Sequence, residues 1–174
     1  MLVTPEEWLK TPDENGEGLL RVFVDGDAPY PLPLETFGVR PEDVTLGEKQ
    51  DFEILLEVDE YLEDLEIFKD ADEYCKQRKE NSLAPEAVIP AGLFPLYKDI
   101  EFTPSGYVLL NGKVIEICEN PASLGFDEDD LLFNVSCLGS VYTVVHHGEE
   151  KPKLSLNNIV SGAFFAQGWP KETN

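Results

Sequence analysis

The only two imidazoles in the chain are adjacent, His146 and His147. An imidazole titrating near pH 6.5 serves as a general base or a metal ligand. Neighbours in a strand face opposite sides, so these two rings do not converge on one ion. The pair reads instead as a strand end running into a turn at Gly148. Cys118 and Cys137 fall in predicted strands and would approach His146, which makes three soft ligands and a partial zinc site. The CxxC-type spacing of a structural zinc site is absent, so buried thiols acting as small apolar side chains are the simpler expectation. The densest carboxylate run is Asp127-Glu128-Asp129-Asp130. Asp127, Asp129 and Asp130 are the candidate ligands for a hard cation such as calcium or magnesium. The run nevertheless lacks the alternating ligands and central glycine of an EF-hand loop. Asp25-Gly26-Asp27 carries two carboxylates but is more simply a turn.

Nucleophile and phosphate motifs are missing. The chain holds no GxSxG elbow, no GxxxxGK[ST] loop, no HExxH and no GxGxxG. Carboxylate pairs have no linear signature, so a hydrolase working with carboxylates in a cleft stays open as an alternative. No catalytic residue is assigned and no cofactor is expected.

The net charge bounds the partners. Over 174 residues, 35 acids face 13 bases, a formal charge of −22. Residues 1–100 carry 25 acids and 9 bases, and the stretch from Glu48 to Glu80 alone holds 13 acids and 5 bases. Such a field repels phosphate backbones and anionic headgroups, which argues against nucleic acid and membrane as partners. It suits a basic protein or a cation, and it also keeps a protein soluble. The N-terminal residues have no basic n-region followed by an apolar stretch, and the three cysteines are odd in number and scattered. Both point to reduced thiols and a cytoplasmic location. Leu131 to Val145 is the longest apolar stretch, and Asn134, Ser136, Gly139 and Ser140 interrupt it too often for a bilayer span.

The elements that must position these groups follow from periodicity. Thr4, Pro5 and Glu7 have the spacing of a capped helix start over residues 4–8. Leu19 to Val24 reads as a strand closed by Asp25-Gly26. Residues 27–50 hold four prolines and two glycines, a density that predicts loop with at most short elements. Phe52, Ile54, Leu56 and Val58 alternate with Glu53 and Glu57, which predicts a half-buried strand. Leu55, Val58, Leu62 and Leu65 also fit a helical period. A second strand is expected near 65–69, then a charged helix from Asp70 to Glu80 with Asp70 as its cap and Glu73 three residues on. Asn81 to Pro95 is a connector rich in breakers. Beyond it the pattern is β throughout: Tyr107 to Cys118 with a turn or bulge at Asn111-Gly112, Leu131 to His146, and Ile159 to Trp169. The last of these sets Phe164, Phe165 and Trp169 beside Gly162, Ala163, Ala166 and Gly168, the packing expected of a strand that closes a barrel.

Three stretches carry a resemblance. They are Ala87 to Pro95, Pro104 to Val114, and Val160 to Trp169. Together, over residues 87–170, they resemble a pattern in uncharacterised bacterial proteins with a small OB-like β-barrel. That resemblance implies a barrel and no particular activity. The acidity departs from the basic face of OB domains that bind nucleic acid.

The expectation is thus a mainly β or α+β protein. Its residues 1–84 form an acidic part with strands and a charged helix. Its residues 85–174 form a small antiparallel, OB-like barrel. The expected role is that of a non-catalytic binding or interaction protein. The alternatives are an inhibitor or immunity-type protein masking a basic partner and the carboxylate-based hydrolase. The expected partner surface lies in the acidic stretch: Asp59, Glu63 and Glu66 supply charge, while Tyr61, Phe68 and Tyr74 supply aromatic anchors.

Overall fold

The computed structural model describes residues 1–26, 29–59, 65–78, 83–95, 102–147 and 151–171. Among them lie ten strands and one α-helix. In chain order these are β1 (Leu2–Lys10), β2 (Gly18–Val24), β3 (Tyr30–Thr36), β4 (Gln50–Val58), β5 (Glu66–Phe68), α1 (Ala71–Gln77) and β6 (Ala87–Ile89). β7 (Tyr107–Ile117), β8 (Leu131–Cys137), β9 (Ser140–His146) and β10 (Ile159–Pro170) follow. The protein is mainly β, as its alternating patterns predict. It divides into two compact units: Met1–Leu55 with Ile89–Val108 and Phe165–Asn174, and Leu56–Val88 with Leu109–Phe164. Each unit therefore draws on chain from both sides of the breaker-rich connector, and β4 and β10 run from one unit into the other.

In the first unit, β1, β2 and β3 form an antiparallel meander, with Val3 opposite Val24 and Leu20 opposite Leu34. The β1–β2 turn is built by Asp13, whose carboxylate accepts the backbone N–H groups of Asn15 and Glu17 at 2.9 and 3.1 Å. These donors hold the Asp13 carboxyl below its ordinary range. β4 pairs antiparallel with the start of β1, and β10 pairs in parallel with β3 at Gln167 and Glu35. β10 also pairs with β4, and the Lys171 N–H donates to the Asp51 carbonyl at 2.9 Å. The hydrogen-bonded order β4-β1-β2-β3-β10 thus returns to β4, a closed ring of five strands. Val3, Leu20, Val22, Leu32, Leu34 and Phe52 are fully buried there.

Two elements of this unit depart from the pattern reading. Residues 4–8 are strand and not a helix start, because pairing with β2 outweighs a local cap. Pro5 is accommodated at the irregularity between Pro5 and Glu7, where the ladder skips a residue. Tyr30–Thr36 is a full strand despite Pro31 and Pro33. Two residues apart, both prolines lose their donor on the same edge of the strand, so the other edge stays intact for pairing with β2.

In the second unit, β8 and β9 form a hairpin from Leu131 opposite His146 to Cys137 opposite Ser140, turned by Leu138 and Gly139. β7 pairs antiparallel with β8, with a bulge between Val114 and Glu116. β4 lies beside β9 and β10, and β10 beside β7, which again closes a ring of five: β4-β9-β8-β7-β10. Leu56, Val114, Val135, Tyr142, Val144 and Phe164 line its core at 0% exposure. Asn111-Gly112 makes no turn. Both residues lie within β7, and a Cβ on Gly112 would come 2.3 Å from a Val135 methyl, so the glycine permits close approach of β8. α1 starts where its cap predicts, with the Asp70 carboxylate accepting the Glu73 N–H at 2.8 Å.

Candidate binding surface

On β2 the inward side chains Leu20, Val22 and Val24 leave Arg21 and Phe23 to face outward. Period two dictates this, and it makes the outer face of the meander one side of a groove. Arg21 donates to Glu6 at 2.8 Å and lies 3.0 Å from a Glu7 oxygen, so two carboxylates share one guanidinium. The opposite side comes from the helical turn Ala91–Leu93 and from the chain entering β7. Leu93, Phe94, Phe102 and Pro104 face Phe23 and Pro31 across a groove of about 400 Å³. A second hollow of about 390 Å³ continues it past Leu9 and Pro104 to Phe37, with Glu17 and Glu35 on its wall. Phe37, Phe94 and Phe102 are 50%, 54% and 38% exposed. Phe94 and Phe102 line one hollow and Phe37 the adjoining one, and exposed large apolar side chains gathered around a depression mark an interaction surface.

Backbone contacts fix the second side of the groove. The Ser105 N–H donates to the Gly92 carbonyl at 3.1 Å, the Gly106 N–H to the Glu35 carboxylate at 3.1 Å, and the Ala166 N–H to the Gly106 carbonyl at 2.8 Å. Gly92 admits no side chain, since a Cβ there would lie 1.9 Å from the Ser105 carbonyl oxygen. Gly92→Ala is therefore expected to push the turn away from residues 104–106 and to destabilise the protein by about 1–3 kcal/mol, the usual cost of overpacking. Thermal unfolding followed by circular dichroism measures this, and an unchanged midpoint contradicts it.

The anchors expected from the sequence fall elsewhere. Phe68 and Tyr74 are core residues, 5% and 2% exposed, packed edge to face at 5.0 Å with Ile159 beside them. Arg78 covers both rings at 5.4 and 5.6 Å and pairs with the Glu66 carboxylate. The Tyr74 hydroxyl donates to the Leu83 carbonyl and accepts from the Asn111 amide, each at 2.7 Å, and burial pushes its phenol above the usual range. These two aromatics hold α1 against β7 and β10 and cannot meet a partner. Asp59 is also buried, its N–H bonded to the Ala163 carbonyl. Glu66 is exposed. Tyr61 and Glu63 lie outside the described residues.

Asp127 and Asp129 are exposed, whereas Asp130 is buried. One Asp130 oxygen accepts the Asp127 N–H at 3.0 Å, and the other lies 2.7 Å from His147 Nδ1. The aspartate thus closes its own loop and orients an exposed imidazole, whose Nε2 is 3.8 Å from Glu57. Among the described residues no three His, Cys, Asp or Glu side chains are placed to share a metal ion. Cys75, Cys118 and Cys137 are free thiols, and burial pushes Cys137 up to about 12, so it carries no thiolate at neutral pH.

Of the groove aromatics, Phe94 has a local signal in the run Leu93-Phe94-Pro95. A large aromatic inside a stretch too rich in breakers to form a strand has no sheet to bury it. No protein-family model, no curated protein and no solved structure compared with the chain matches it.

Proposed function

We propose that this is a non-catalytic binding protein whose partner is a basic polypeptide. The observation that carries the reading is the set of exposed phenylalanines grouped along one groove of a unit whose charge is strongly negative. Charge sets the rate of encounter and the sign of the partner, while buried aromatics supply affinity. The strand count of the first unit, five in a closed ring, is also that of an OB-type barrel, a fold used for binding on the outer face of its sheet. Three carboxyls are held below their usual range by structural partners. Asp13 answers to backbone N–H groups, Asp43 to Arg40 and Asp51 to the N-terminal amine, all at the surface.

The test is a pull-down from source lysate on the immobilised protein at low and high salt, followed by crosslinking and mass spectrometry. A discrete basic protein is expected at low salt and lost at high salt, because added ions screen charges beyond a Debye length of about 8 Å at physiological strength. Retention of nucleic acid, or of nothing sensitive to salt, rejects the reading.

A further inference from the structure

The groove between the meander and the Ala91–Leu93 turn is open along its length and continues into a second hollow through Leu9 and Pro104. Its volume of about 400 Å³ is at the lower end of ligand sites, enough for a few large side chains and too little for a folded domain's surface. The floor and walls are apolar, from Phe23, Pro31, Leu93, Phe94, Phe102 and Pro104. The rim is acidic. Glu6 and Glu7 share Arg21, which leaves that cluster one negative charge in excess, and Glu17 and Glu35 border the adjoining hollow with Lys10. A nucleic acid strand would find aromatic rings to stack on, but among the described residues lining the hollow beside Phe94 and Phe102 the cation is Arg21, and two carboxylates already engage it. An anionic bilayer meets the same repulsion, and a second copy of the chain brings another charge of −22. Charge complementarity points to a basic occupant.

We infer that the groove binds an extended basic peptide segment, with aromatic or aliphatic side chains seated between Phe23, Phe94 and Phe102 and flanking lysines or arginines on Glu6 and Glu7. The segment's cation exchanges with or joins Arg21 at the two carboxylates, while its apolar side chain removes Phe94 and Phe102 from water. This rests on the reading of the protein as a binder of basic polypeptides and gives it an address and a motif.

The experiment uses fluorescein-labelled decapeptides and anisotropy at low salt. One probe alternates lysine with leucine and phenylalanine, a second replaces the apolar residues by glycine, and a third replaces the lysines by glutamate. A single-stranded oligonucleotide completes the set. The first probe is expected to bind at least about tenfold more tightly than the other two peptides. The double variant Phe94→Ala, Phe102→Ala is expected to lose about tenfold in affinity for it. Both residues are exposed, so the variant's unfolding midpoint should match the parent's. The variant Glu6→Gln, Glu7→Gln should flatten the salt dependence of the association rate. Equal binding of the lysine–leucine–phenylalanine probe by the parent and the double phenylalanine variant overturns the groove as the site while leaving the binder reading intact. Failure of every basic probe to bind overturns both. Preference for the oligonucleotide overturns the choice of occupant.

Discussion

Ending the chain after Asn158 should abolish its cooperative unfolding transition. β10 pairs with β3 and β4 in the first unit and with β4, β5 and β7 in the second. Without it each ring of five strands opens, and four neighbours are left with unpaired edges. It also takes away Ile159, Val160, Ala163, Phe164 and Ala166, all buried. Removing a buried phenylalanine side chain alone costs about 3–5 kcal/mol, against a typical whole-protein stability of about 5–15 kcal/mol. The sum of lost side chains and lost ladder exceeds that total. Urea titrations followed by circular dichroism decide the matter. A shortened chain that unfolds as sharply as the full one would show that β10 is an accessory. Within the full chain, Phe164→Ala tests the same point more gently and should lower the unfolding free energy by about 3–5 kcal/mol.

The importance of β10 was legible as a local pattern, whereas its partners were not. Large aromatics beside small residues mark a strand that packs closely, and Ile159–Pro170 is such a strand. Nothing local says that its end returns to lie parallel to β3, more than a hundred residues earlier in the chain. The same limit explains the aromatics. Phe68 and Tyr74 stand among charges in the sequence and read as surface anchors, but Ile159 comes from far away to pack against them, and Ser161 beside it accepts from the Arg78 that lies over both rings. Local signals succeeded where the physics is local. Asp70 caps α1 because its carboxylate reaches Glu73 N–H three residues on, and β4 shows its buried face through period two. They misled at Thr4–Trp8 and at Pro31 and Pro33, where pairing with β2 determines the backbone. The groove was illegible because its two sides are adjacent only once the meander has formed.

Glutamate at Leu56 should be the most damaging single substitution in β4. Phe52, Ile54, Leu56 and Val58 all face inward as their alternation predicts, and Leu56 has no exposure at all. A carboxyl placed there loses its hydration, and the surrounding side chains are apolar. It must either ionise without a partner or stay protonated with a raised pKa, and either route costs several kcal/mol. The leucine's own burial, worth about 2–5 kcal/mol on truncation, is forfeited as well. Together these match or exceed the stability of an ordinary domain, so Leu56→Glu should be unfolded or nearly so at neutral pH. A sign follows from the protonation argument. The buried carboxyl's pKa is raised in the folded state, so its penalty is smallest below the unfolded-state value of about 4.3 and grows as pH rises through the folded value. Residual structure in the variant should therefore increase on mild acidification. Three residues earlier, Glu53 faces outward, yet lysine there should not be silent. Its carboxylate accepts the Trp169 indole N–H at 2.9 Å, and an ammonium cannot accept. That exposed bond is worth about 0.5–1.5 kcal/mol, so Glu53→Lys should cost a small, measurable amount beside the collapse expected of Leu56→Glu. Chemical denaturation of the two variants side by side gives the comparison. If Leu56→Glu retains the parent's midpoint, then position 56 is not in the core and the inward face of β4 is misassigned.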